Sequence, residues 1–170
     1  MTKKKGVLSV IVLFLAALIA FCLIYTRPRT LNSMLDNREV TGLTAAHSLS
    51  YKFSLDDAWE SYNLDPENCD AQVLSDLTEI MDSCKYRVKL ISLTRPHSSS
   101  DSTLEDGGNG NHVTLLFVLS DGSILSVSYT GSKVLFSFDP QNGMIIAKPT
   151  SKGVNTKLAE YISQTGIPQE

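Results

Sequence analysis

The chain has 170 residues, of which 42% are hydrophobic, 19% charged and 8% aromatic. That composition fits one globular domain with a short appendage and excludes a fibrous or wholly disordered chain. The net charge of −3 is split unevenly: residues 1–30 hold five bases (Lys3, Lys4, Lys5, Arg27, Arg29) and no acid, so residues 31–170 carry ten bases against 18 acids, a net −8. A surface of that sign repels phosphate, which argues against nucleic acid or an anionic lipid surface as a partner of the main domain.

Val7–Tyr25 is a run of nineteen residues without a charge. As a helix it spans roughly 28 Å, close to the bilayer hydrocarbon core of about 30 Å. It follows Lys3-Lys4-Lys5, ends before Arg27-Pro28-Arg29, and places Tyr25 where an interfacial aromatic sits. Three readings are open. A lipoprotein signal needs a small residue before Cys22, and Phe21 stands there. A cleaved secretory signal needs a shorter apolar core and a small-x-small site, and no Ala-x-Ala lies near the end of this run. An uncleaved single-pass anchor meets neither obstacle. The lysine flank places the N-terminus in the cytoplasm and the remaining chain outside. The expected organisation is a cytoplasmic tail at 1–6, a transmembrane anchor at 7–25, a tether at 26–37 and an extracytoplasmic domain at 38–170.

Within that domain, Glu39–Ala45 and Leu49–Ser54 read as two strands. Ser54-Leu55-Asp56-Asp57 is similar to a capping box, predicting a short helix through Trp59. Asp70–Cys84 is an amphipathic helix with Val73, Leu74, Leu77, Ile80, Met81 and Cys84 on one stripe and Asp70 as N-cap. Tyr86–Thr94 alternates as a strand. His97–Asn111, rich in Ser and Gly, reads as an exposed loop. His112–Ser120, Ser123–Thr130, Lys133–Asp139 and Met144–Lys148 are four strands separated by the short turns Asp121-Gly122, Gly131-Ser132 and Pro140–Gly143, hence an antiparallel meander. A helix over Gly153–Gln164, stopped by Gly166, closes the chain. The fold class is α+β, an antiparallel sheet with helices on one face.

Chemistry is sparse. Cys69 and Cys84 bracket the main helix and stand roughly 22 Å apart, too far for a disulfide, and there is no CxxC. His97 and His112 flank the Ser/Gly loop with Asp101, Glu105 and Asp106 between them. A hairpin there would bring two imidazoles and a carboxylate together for zinc, although no HExxH spacing supports it. The glycines of that loop lack the acidic pattern of a calcium loop and do not open a helix as a phosphate cradle does. Asp56, Asp57 and Glu60 beside Trp59 allow a carbohydrate site, and equally an ordinary acidic helix start. No GxSxG or SxxK nucleophile motif occurs. Neither catalytic, cofactor-binding nor metal residues are assigned.

An N-terminal anchor, an early strand region, the helix Leu74–Tyr86 and the meander Thr114–Phe138 together resemble small secreted or membrane-anchored domains of unknown function from Gram-positive bacteria of the Firmicutes. The resemblance covers about residues 38–165. It implies no enzyme activity and no ligand, and no functional residue carries over. The expectation is a non-enzymatic membrane-anchored module binding a protein, cell-wall component or small ligand, through an uncovered sheet face or the edge strand beside the Ser/Gly loop. Two other readings stand beside it. One is a metal-dependent extracytoplasmic hydrolase using His97 and His112. The other is a regulatory or assembly subunit held by its membrane helix, where Ala16, Ala17 and Ala20 allow close helix contact.

Overall fold

A computed structural model describes residues 2–35, 38–51, 59–89, 110–138 and 144–169. Helix α1 covers Thr2–Tyr25 and a single helical turn, α2, covers Leu31–Met34. The domain continues through β1 (Val40–Tyr51), β2 (Trp59–Leu64), a 3-10 turn at Pro66–Asn68, α3 (Ala71–Asp82) and β3 (Tyr86–Val88). It closes with β4 (Gly110–Leu119), β5 (Ile124–Thr130), β6 (Lys133–Phe138), β7 (Met144–Pro149), α4 (Val154–Thr165) and β8 (Ile167–Gln169). The eight strands form one antiparallel sheet in the order β3-β7-β6-β5-β4-β1-β2-β8. The α+β class and the meander are as the sequence predicts.

Strict two-residue alternation builds the core. Val113, Leu115, Phe117 and Leu119 of β4, Leu125, Val127 and Tyr129 of β5, and Val134, Phe136 and Phe138 of β6 all point to one buried side. Against them lie Leu77 and Met81 of α3 and Val154, Leu158, Ala159 and Ile162 of α4. Each such Val, Leu, Ile, Met or Phe side chain contributes about 1.5–3 kcal/mol on burial. Asp70 caps α3 by accepting from Val73 N at 2.8 Å. Tyr161 of α4 donates to Asp76 of α3 at 2.8 Å, locking the two helices together. Inside the core the Tyr86 hydroxyl donates to Met81 O at 2.8 Å and meets the Tyr129 hydroxyl at 2.7 Å, and the Tyr86 ring stands edge-on to Phe136 at 5.2 Å. The β4–β5 turn needs Gly122 at φ +80°, and Asp121 accepts from both the backbone N–H and the hydroxyl of Ser123 there.

Three expectations change. The two strands predicted between residues 39 and 54 are one long strand, β1, whose pairing with β4 shifts register between Val40 and Gly42 and between Leu43 and Ala45. Those irregularities scramble the alternation that would have revealed it. Trp59 does not end a short helix; it opens β2 opposite Tyr51. Asp56 and Asp57 lie outside the described residues. The segment 26–37 is not a free tether. Leu31, Met34 and Leu35 are 3%, 5% and 3% exposed, because one helical turn sets them on a single side that plugs the core. Upstream, Arg29 exchanges two backbone hydrogen bonds with Tyr86, at 2.9 and 2.7 Å, on the outer edge of β3. Of the predicted strand Tyr86–Thr94, Tyr86–Val88 forms β3 and residues 90–94 lie outside the described residues; Gly110 and Asn111 of the predicted Ser/Gly loop already belong to β4. As for the expected membrane span, among the described residues, whose side chains in α1 begin at Val10, no helix is long and apolar enough to cross a membrane.

Candidate functional site on the open sheet face

All the large buried side chains and the helices α2, α3 and α4 share one core. Strand residues of the other parity point away from it, and none of those whose side chains are described is buried. Register places them in rows across the sheet. One row runs Asn63, His47, Thr114, Ser128, Leu135, Ile146. The next runs Ser61, Leu49, His112, Thr130, Lys133. A third holds Ala45, Leu116, Ser126, Ser137 and Met144.

Two imidazoles stand at the centre of the first two rows. His47 Nε2 is 3.0 Å from Ser61 Oγ. His112 Nδ1 is 2.8 Å from Thr130 Oγ1 and its Nε2 is 3.2 Å from Thr114 Oγ1, which in turn lies 3.2 Å from Ser128 Oγ. Burial pushes the His112 pKa down, and the neighbouring His47 adds to the shift. A neutral His112 has one ring N–H and one bare nitrogen, so one threonine accepts from it and the other donates to it. The result is a band of imidazole and hydroxyl groups able to donate and accept hydrogen bonds. It is bordered by Leu116, Leu135 and Ile146.

The band is poor in catalytic equipment. Ser61 and His47 have the contact of a nucleophile and its base, but among the described residues no carboxylate is hydrogen-bonded to either imidazole, so no third group orients them. Nor does any group of three or more His, Cys, Asp or Glu suited to a metal occur among the described residues. Of the expected zinc set, only His112 falls within the described residues; His97, Asp101, Glu105 and Asp106 lie outside them. The partner that sequence reasoning missed is His47, which reaches His112 only through the β1–β4 register, a pairing between residues more than sixty positions apart.

The remaining thiols are quiet. Cys22, Cys69 and Cys84 are all free, as the spacing predicts for the last two. Cys84 is buried at 4% exposure and burial raises its pKa; Cys69 donates to Asp65 O at 3.2 Å and its pKa is raised as well, first by burial. A wide-mouthed hollow of about 370 Å³ between α2 and α3 is lined by Leu31, Leu35, Arg38, Glu39, Thr78 and Asp82 among others. It brings together no imidazole, thiol or hydroxyl pair of the kind the open face carries. The β3 edge beside the loop is partly filled, since Arg29 already pairs with Tyr86 there. No family model, curated protein or solved structure matches the chain.

Proposed function

We propose that this chain is a single-pass membrane protein, N-terminus in the cytoplasm, whose extracytoplasmic α+β module binds a protein or cell-wall partner without catalysing a reaction. On this reading it groups with the small membrane-anchored domains of Gram-positive bacteria that its sequence resembles. Helix α1 supports the anchor: it is continuous over 24 residues, about 36 Å, and presents Leu13, Phe14 and Ile24 at 70%, 69% and 70% exposure. Apolar side chains this exposed match a lipid surroundings better than water.

The observation that carries the binding reading is a sheet face that no described helix covers. Antiparallel sheets commonly leave one face wet, and such faces are then polar and charged. Here the central strands instead show Leu116, Val118, Leu135 and Ile146 around the histidine and threonine band. A photoreactive residue at Ser128 of the full chain, in membranes of intact cells, should give a discrete crosslinked species that disappears with Thr114→Arg. Absence of any crosslink from Ser61, Ser128 and Leu135 alike would remove the reading. Surface proteolysis of the same cells should cleave the C-terminal domain and leave residues 1–6 protected.

A further inference from the structure

We infer that the β3–β7–β6 end of the sheet rests on the bilayer and binds the anionic phosphate headgroups of its lipids. This rests on the reading of α1 as a membrane anchor. Two independent observations lead to it. The first is proximity. Only Thr26, Arg27 and Pro28 separate the end of α1 from Arg29, whose backbone is bonded to Tyr86 of β3. Four residue steps reach at most about 14 Å, so the β3 edge stays within about 14 Å of the outer end of α1 once α1 is inserted.

The second is charge. Although the domain is acidic as a whole, residues 85–89, 133–138 and 144–153 contain six bases, Lys85, Arg87, Lys89, Lys133, Lys148 and Lys152, and no acid. The described acids lie on α3, α4, β2, the segment before β1 and the turns away from these strands. Topology therefore separates the two signs that the sequence intermixes. Arg87 and Lys148 are exposed and directly opposite one another across β3 and β7. One further step of the β6–β7 register sets Lys133 beside Lys148. Like charges directly opposite destabilise a sheet, so the Arg87–Lys148 pair costs stability in water and gains from an anion laid across it. Arg27, exposed, adds to the same end. Juxtamembrane bases of this kind are drawn to anionic leaflets.

The full chain is reconstituted in nanodiscs of phosphatidylcholine, with and without about one-third phosphatidylglycerol, and lysine acetylation rates are read by mass spectrometry. Lys85, Lys148 and Lys152 should react about threefold or more slowly in the anionic discs, while Lys157 on α4 keeps its rate. In about 1 M salt, where the Debye length shrinks to about 3 Å, the difference should vanish. In the double variant Arg87→Gln/Lys148→Gln the protection of Lys85 and Lys152 should be lost. Equal rates in the two lipids overturn the inference. So does protection by soluble poly(glycerol phosphate) with none from anionic discs, which would assign the row to a soluble polyanion. A chain stripped from the discs by alkaline carbonate fails at the earlier step, and both readings fall together.

Discussion

At the scale of single residues the buried hydroxyl pair is the sharpest test of the core. Tyr86 has one proton and gives it to Met81 O, so the 2.7 Å contact with Tyr129 is donated by Tyr129. Tyr86→Phe then strands both Tyr129 and a backbone carbonyl, whereas Tyr129→Phe removes only one donor. Urea unfolding of the detergent-solubilised chain should show losses of about 2 and about 1 kcal/mol respectively. His112 makes a pH prediction. Its folded pKa is depressed below the ordinary value by burial and by His47. The unfolded chain therefore takes up the proton first. Stability is full above pH about 6.5 and is lost as pH falls through the folded pKa. The denaturation midpoint should drop between pH 7.5 and pH 5, and His112→Gln should flatten that dependence. The histidine's side of the sheet could be read from alternation in β4. Its partnership with His47 could not, because β1 declares neither its length nor its register locally.

At the scale of elements α3, α4 and the meander were legible, and the reasons are local. The α3 stripe, the Asp70 cap, the Asp121-Gly122 turn and the alternation of β4 to β6 each fit within ten or so residues. What escaped has non-local causes. Strand β8, Ile167–Gln169, is three exposed residues with a central proline and exists only by pairing with β2. That pairing begins at Ile167, directly after Gly166, where a Cβ would stand 2.6 Å from Ile162 O and 2.9 Å from Asn63 O. Both obstacles are backbone, so they cannot swing aside. Gly166→Ala should cost about 1–3 kcal/mol, and hydrogen exchange should show β8 released before the rest of the sheet.

At the scale of the whole molecule the limits of the domain shift. Leu31, Met34 and Leu35 carry a spacing too short to stand out as periodic, yet they fill the core beside α3. Leu31→Ala should therefore destabilise the chain by about 2–5 kcal/mol, and a fragment starting at residue 38 should melt well below one starting at residue 29. On the binding reading proposed above, the same continuity has a further consequence. Eight strands at about 4.8 Å put the β1 column about 24 Å from β3, and the Arg29–Tyr86 pairing ties β3 to the end of α1. With α1 inserted, the imidazoles can rise no more than about 40 Å above the lipid surface. A molecule free in the surroundings must descend into that shallow layer to be met. One already embedded in the membrane, or lying in the innermost stratum of the envelope, is within reach from the start.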